Sequence, residues 1–282
     1  MKAIYYVDGK FVPADKAVIP VDDLALLRGI GVFDLLRTYE GKPLFLDEHI
    51  ARLLNSARRI KLKLPWSEDD VRRIVLETLE RNKLAEANIR MVITGGSSPD
   101  FMTHQGNPRL IVLVTPLPQL PSWWYEKGVK VITMASARHI PDAKSIDYLP
   151  AAMALSRAKA NGAVEAIYVD DQDNVLEGAT SNIFAFMGDT LVTPGKGILS
   201  GITRKVVLDL ARDFFRVRVR DLSRRELLEA DEVFITGTNK GLVPVVQVDD
   251  TVIGDGRPGK RTARLMKALA RRTAGRIGGD RS

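Results

Sequence analysis

Three prolines fall within the eight residues TPLPQLPS at 115–122. Proline fixes its own φ and donates no backbone hydrogen bond, so such a run suits neither a helix interior nor a central strand. It divides the 282 residues into a body at 1–115, a linker at 116–126 and a larger body at 127–282. With 45% of residues hydrophobic, each body can bury a core without staples.

In the first body, residues 2–7 and 10–12 alternate like strands around Asp8-Gly9, a hairpin signal; residues 31–39 and 43–46 do the same around Glu40-Gly41. Asp47 is expected to cap a helix, because Ile50, Leu53, Leu54 and Ala57 recur at helical spacing behind it. Ser67 and Asp70 have capping-box spacing ahead of a second stripe, Val71, Ile74, Val75 and Leu79. Strands at 88–94 and 109–115 complete an α+β unit. In the second body, strands at 129–135, 164–170, 182–187, 216–220 and 232–236 interleave with helices at 148–161, 202–215, 223–230 and from about 258. That order predicts a mixed α/β domain, and α/β is the expected class of the whole chain.

Composition removes several kinds of function. There is no cysteine, which excludes a disulfide scaffold, a thiolate metal site and a cysteine nucleophile. His49, His104 and His139 are too scattered to suggest a metal cluster, so no metal is expected. No run of about 18 apolar residues occurs, and the first residues have no apolar targeting segment. A cytoplasmic enzyme with no membrane partner is expected. The net charge of +7 favours anionic partners. Much of the excess lies in Arg261, Arg264, Lys267, Arg271, Arg272 and Arg276, without interleaved aromatics, so it reads as a solvated helix face and no nucleic-acid partner is expected.

Some motifs fail on inspection. GDGRPGK at 254–260 imitates a phosphate-binding loop, but Arg261 stands where Ser or Thr is needed for Mg²⁺, so it reads as a turn before a helix. Gly29-Ile30-Gly31 lacks a third glycine, and no G-x-S-x-G elbow exists. Trp123-Trp124 reads as packing at the linker rather than a stacking platform. Three other stretches make chemical sense together. Lys144, in PDAKSIDYLP, precedes a helix of apolar residues; a partly desolvated lysine there would have a lowered pKa and could form a Schiff base with a carbonyl, against the plainer reading of a solvated charge. Glu177, in NVLEGATSNIF, is either solvent-facing at a strand bend or beside a pyridine nitrogen, which a carboxylate keeps protonated; Gly178, Ala179, Thr180 and Ser181 leave room for a flat ring and supply hydroxyls. LSGITR at 199–204 is an ordinary helix start or an anion site built from helix N–H groups and Thr203; FITGTNKG at 234–241 offers Thr238, and Arg52 could add a full charge. An amine, a carboxylate for a ring nitrogen and a phosphate cup are the requirements of pyridoxal phosphate.

The ordered blocks GVFDLLRTY, DEHIARL, DAKSIDYLP, LEGATSNIF, LSGITR and FITGTNKGLVPV resemble the class-IV aminotransferases, the fold-type IV pyridoxal-phosphate enzymes, over about residues 5–265. The resemblance implies that Lys144 attaches the cofactor and Glu177 pairs with its ring nitrogen. It implies that Arg52, Ile202, Thr203 and Thr238 hold the phosphate, that Leu199 packs on the ring, and that Tyr148 lies beside the phenolic oxygen; Thr180 and Ser181 are expected at the cofactor as well. It also implies a homodimer or larger homo-oligomer, with the site between the two domains and near the partner subunit. Arg28, Phe33, Arg90, His104 and Asn239 are the candidate substrate residues.

The departures bear on substrate. Asp34 stands where the family often has Glu, Asp147 where Asn is usual before the tyrosine, and Arg28 where branched-chain enzymes commonly have Tyr. Gly241-Leu242-Val243-Pro244-Val245 leans toward the lyase pattern. Arg90 resembles the carboxylate-binding arginine of the branched-chain enzymes. The R-x-H trap of the D-amino-acid enzymes is incomplete, because Met102 precedes His104 by two residues. The expected function is transamination between branched-chain L-amino acids and a 2-oxo acid such as 2-oxoglutarate. D-amino-acid transamination is the alternative, followed by aminodeoxychorismate lyase; a non-enzymatic pyridoxal-phosphate carrier would have no use for two arginines on the substrate side.

Overall fold

The computed structural model describes residues 2–278, with side chains over 2–275, so the Arg276 side chain of the basic C-terminal face lies outside the described residues. The chain divides into two units: Met1–Pro118 with Asp142–Tyr148, and Gln119–Pro141 with Leu149–Ser282. Two differences from the expected division follow. The proline run does not continue as a bare linker to 126, because α4 (Trp123–Glu126) forms there and Trp124 and Tyr125 pack on the second unit's core. Lys144, expected in the second body, belongs with the first unit.

In the first unit β1 (Ile4–Val7) and β2 (Lys10–Pro13) close around Asp8 and Gly9, whose φ angles of 46° and 89° are those of a tight hairpin turn. A short helix α1 (Leu24–Arg28), capped by Asp23 and closed by Gly29 at φ 66°, leads into β3 (Gly31–Tyr39) and the two-residue β4 (Lys42–Pro43). Next come α2 (Leu46–Arg59), α3 (Glu68–Asn82), β5 (Ala87–Thr94) and β6 (Arg109–Pro116). The sheet order is β2-β1-β6-β5-β3-β4. Its helix-facing side chains Val32, Leu36, Ile89, Met91 and Ile93 are buried with Ile50, Leu53 and Leu54 of α2 and Val71, Ile74 and Val75 of α3. The capping box at α3 is present: Ser67 Oγ accepts from Asp70 N–H at 3.1 Å and Asp70 accepts from Ser67 N–H at 3.0 Å. Asp47 is not the cap of α2. Phe45 occupies that position in the left-handed region, φ 58°, and Asp47 lies in the first turn, where it takes a hydrogen bond from Arg72 at 2.8 Å. A carboxylate there still favours the helix dipole.

The second unit is built on β7 (Val129–Ala135), α5 (Leu149–Ala160), β8 (Glu165–Val169), β9 (Asn174–Gly178), β10 (Asn182–Met187) and β11 (Thr190–Thr193). They are followed by α6 (Ile202–Ala211), β12 (Arg216–Val219), β13 (Leu222–Ser223) and α7 (Arg224–Leu228). The last elements are β14 (Glu232–Gly237), β15 (Gly241–Val248), β16 (Thr251–Val252) and α8 (Lys260–Gly278). The sheet runs β12-β11-β10-β14-β15-β7-β8-β9-β13, with β16 on β15. Period-2 alternation sorts β10 and β14 between two cores. Ile183, Ala185, Val233 and Ile235 enter one, with Leu227 of α7. Phe184, Phe186 and Phe234 enter the other, with Val207 of α6 and Leu265 of α8, and the Phe184 and Phe234 rings stack at 4.8 Å. Asn182 and Thr236, directly opposite one another in register, continue the phenylalanine side of the sheet. They set two polar groups at the end of an aromatic row.

Candidate active site

The segment Asp142–Tyr148 runs antiparallel to β3 along the edge that short β4 leaves open. Val32 bridges Ser145, Phe33 N–H donates to the Lys144 carbonyl at 2.9 Å, and Ile146 N–H donates to the Gly31 carbonyl at 3.0 Å. From α2, Ser56 Oγ accepts from Lys144 N–H at 3.1 Å. The lysine backbone is thus held in place by sheet and helix together. Its Nζ lies 4.7 Å from the Phe33 ring centroid and 3.4 Å from the Tyr148 hydroxyl, and the Tyr148 and Phe33 rings meet edge to face at 5.0 Å. Arg90, on neighbouring β5, places its guanidinium carbon 5.1 Å from the same Phe33 ring. Two cations and one phenol therefore share one aromatic platform.

The other side of β3 carries Asp34, fully buried. Its carboxylate accepts from Arg52 Nε at 2.7 Å and Nη2 at 2.8 Å, and lies 2.7 Å from His49 Nδ1. Burial alone would raise the Asp34 pKa, but the Arg52 and His49 charges and their hydrogen bonds hold it well below the usual carboxylate range. Burial pushes the His49 imidazole down against the pull of Asp34. The carboxylate pKa is depressed in the folded state, so its contribution is complete above the unfolded value near ~4 and is lost as pH falls through the folded one. Asp34→Asn is expected to cost about 3 kcal/mol at neutral pH, as when a buried pair loses a partner. The difference in unfolding free energy from the parent should narrow below about pH 4. Urea unfolding at a series of pH values checks this; a constant gap would show that Asp34 does not titrate with folding.

The second unit carries Glu177 and an uncapped helix start. Glu177, on β9, is 3% exposed. Arg138 Nε lies 2.7 Å from Glu177 Oε1, and Asn182 Nδ2 donates to Glu177 Oε2 at 3.3 Å and to the Leu199 carbonyl at 2.9 Å. The helix α6 begins at Ile202 and Thr203 behind Gly201, and no side chain caps it. A Cβ on Gly201 would overlap Asn182 Oδ1, so any larger residue there would have to displace the Asn182 side chain. The helix α8 is the opposite case. Glu232 accepts from Thr262 N–H at 2.8 Å and Arg261 N–H at 3.2 Å, so the GDGRPGK turn delivers a helix start already filled by a carboxylate. Thr236 Oγ1 and Arg204 Nε are buried without hydrogen-bond partners. An oriented carboxylate, an uncapped helix start and an orphaned hydroxyl on one unit fit a flat cofactor carrying a phosphate.

The expected residues are distributed unevenly. Lys144, Tyr148, Phe33 and Arg90 come together, as do Glu177 and Leu199 through Asn182. Thr238 and Asn239 lie in the turn between β14 and β15. Thr180 and Ser181 hydroxyls donate to Glu165 at 2.7 and 3.0 Å, and so serve a neighbouring carboxylate. Arg28 is exposed at the end of α1, donating to the Leu27 carbonyl at 2.8 Å, and His104 is half-buried in the β5–β6 loop. Sequence reading passed over His49, Arg138, Asn182, Thr236, Glu165 and Lys240 as site residues. His49 was visible as the residue one turn before Arg52 on the same helix face; the others have no local signal. Among the described residues no cluster of His, Asp or Glu could hold a metal, and no helix is long and apolar enough to cross a membrane.

Comparison with known families agrees with this layout. The family model for amino-transferase class IV matches residues 31–248, a span that takes in Phe33, Arg90, Lys144 and Tyr148 of the first unit and Glu177, Leu199 and Thr203 of the second. The chain belongs to the class IV aminotransferases. This aminotransferase is 37% identical, over 93% of both chains, to a Methanocaldococcus jannaschii protein bearing a provisional branched-chain-amino-acid aminotransferase name. It is 32% identical to the D-alanine aminotransferase of Bacillus licheniformis, over 95% of this chain and 96% of that one. Among solved structures, a T.th. branched-chain amino acid aminotransferase with pyridoxamine 5'-phosphate superposes with a TM-score of 0.92 at 30% identity, covering 98% of this chain and 95% of that one. The aminotransferase therefore has the fold-type IV architecture that its sequence blocks implied.

Proposed function

We propose that this aminotransferase uses pyridoxal phosphate to move amino groups between branched-chain L-amino acids and 2-oxoglutarate. The observation that carries the reading is the pairing of Lys144 and Arg90 over one Phe33 ring, 4.7 and 5.1 Å from its centroid. It supports the reading because a guanidinium fork there would bind a substrate carboxylate beside an amine able to carry the α-proton. The T.th. enzyme has been solved with 4-methylvaleric acid and with N-(5'-phosphopyridoxyl)-L-glutamate, one branched and apolar, the other dicarboxylic. A branched apolar chain and a second carboxylate both suit a platform of one aromatic ring and one guanidinium.

When bound, pyridoxal phosphate supplies an electron sink for the carbanion at the substrate α-carbon. Lys144 would hold the cofactor through its amine, and the same amine would carry the α-proton. Tyr148 holds the amine toward Phe33. Glu177 would pair with the ring nitrogen and favour its protonated form, and Arg138 and Asn182 orient that carboxylate. Thr203, Thr238 and the α6 N–H groups would hold the phosphate, and Arg52, whose direction is set by Asp34 and His49, would add a charge to it. Leu199 packs on the ring. A homodimer is the proposed assembly, with Arg28 reaching the neighbouring subunit's substrate, and the cytoplasm the proposed compartment.

Relatives named as D-alanine aminotransferases keep D-amino acids as the second reading. Mixing the yellow protein separately with L-leucine, D-alanine and aminodeoxychorismate decides among the readings. L-leucine is expected to shift the cofactor absorbance to the aminated form. A shift with D-alanine alone, or pyruvate from aminodeoxychorismate, would replace the proposal. Arg90→Leu is expected to raise KM for 2-oxoglutarate by about 10- to 100-fold, the worth of a charge-assisted hydrogen-bond pair. Arg28→Leu should raise it more than KM for a monocarboxylic acceptor. Equal effects of Arg28→Leu on both acceptors would remove Arg28 from the second carboxylate.

A further inference from the structure

Glu165 is the most deeply buried carboxylate of the second unit's sheet, fully shielded at the start of β8. Its Oε1 accepts from Ala166 N–H at 3.2 Å. Its Oε2 accepts from Lys240 Nζ at 2.6 Å, Thr180 Oγ1 at 2.7 Å and Ser181 Oγ at 3.0 Å. Lys240 Nζ also donates to Thr180 Oγ1 at 2.6 Å, and the Lys240 carbonyl accepts from the Tyr125 hydroxyl at 2.9 Å. The two turns touch: a Cβ on Gly237 would lie 3.4 Å from the Thr180 carbonyl. One turn follows Glu177, and the other carries Thr238.

We infer that Lys240 is a positioning residue for the cofactor phosphate, acting through Glu165: their ion pair straps the Thr238–Lys240 turn onto the Gly178–Ser181 turn. The inference rests on the cofactor reading above. Lys240 does not serve as a phosphate ligand itself, because its ammonium is already committed to a fully buried carboxylate and a hydroxyl. Its four-carbon stem instead fixes the far end of a three-residue turn, and with it the direction of the Thr238 hydroxyl. Without Lys240, Glu165 still holds Thr180 and Ser181, so the Glu177 side is retained while the Thr238 turn is released. The strap therefore acts selectively on phosphate rather than on the ring.

The test uses the full-length protein freed of cofactor by dialysis, titrated with pyridoxal phosphate, with pyridoxal lacking the phosphate, and with inorganic phosphate. Lys240→Met is expected to weaken pyridoxal phosphate and inorganic phosphate by about tenfold or more and to leave pyridoxal within about twofold, a loss of about 1.4 kcal/mol confined to the anion. Lys240→Arg, which keeps the ion pair, is expected to bind like the parent. Should Lys240→Met fail to fold, Glu165→Gln supplies the same comparison, since it removes the ion pair and keeps an acceptor for the hydroxyls. Equal weakening of pyridoxal and pyridoxal phosphate would reduce Lys240 to general structural support and overturn the inference. Unchanged phosphate affinity in both variants would also overturn it. A parent chain that binds neither pyridoxal phosphate nor pyridoxal overturns the cofactor reading, and the inference with it.

Discussion

Lys144→Ala is expected to abolish transamination, lowering kcat by about a thousandfold or more, the upper range for removal of a positioned acid-base group. The variant should also lose covalent retention of the cofactor after borohydride reduction and denaturation. The expectation follows from the placement of the amine. The Lys144 backbone is tied to Phe33 and Ser56 at 2.9 and 3.1 Å, so the Nζ position over Phe33 is set by the sheet and not by a loose loop. Lys144→Arg would keep a cation over the ring but supplies no amine for attachment. Its activity should be as low as that of the alanine variant, with thermal stability near the parent value. Retention of reduced cofactor by Lys144→Ala would assign the attachment to another lysine.

Glu177→Gln should leave pyridoxal phosphate bound and lower kcat by about a hundredfold, the order typical of removing one preorganised electrostatic group. The phosphate-binding residues remain in place, so KM should change far less than kcat. The amide can still accept from Asn182, but it cannot hold a proton on a ring nitrogen, and it leaves Arg138 beside a neutral group. Single-turnover kinetics with L-leucine separates the two possibilities: a slow step with normal cofactor affinity supports the role, and a parent-like rate rejects it. Arg138→Met makes a companion test. It removes the cation 2.7 Å from Glu177 Oε1 and should reduce kcat in the same direction by a smaller factor.

Local pattern carried the sequence reading wherever a structural cause was local. The stripes of α2 and α3, the Asp8-Gly9 turn and the Ser67–Asp70 capping box each lie within a few residues, and each is where the spacing put it. Strand β15 escaped because Pro244 lies inside it, paired with Phe234 in a central position where a missing donor argues against a strand. The cap of α2 escaped because Phe45 reaches φ 58° with no side-chain signature, and the nearby aspartate drew attention instead. The site shows the same division. Lys144 and Glu177 could be singled out as candidates because an amine and a carboxylate are informative beside small residues and strand breaks. The Glu165–Lys240 pair spans 75 residues of sequence, and nothing near either residue announces the other. Arg138 resembled any loop arginine until the fold set it against Glu177.

The edge piece Asp142–Tyr148 makes the chain non-modular. The backbone leaves the first unit at Pro118, returns at Asp142 and departs again after Tyr148. A polypeptide cut at the proline run would keep Arg52 and Arg90 and lose Lys144. It would also leave the Gly31 carbonyl and Phe33 N–H without their partners, an open strand edge of the kind that recruits other chains. Neither half can therefore be shuffled among relatives as a self-contained cassette at the break its prolines suggest. The two must be inherited together, because a crossover after Tyr148 would in turn separate β7 from its partners β15 and β8.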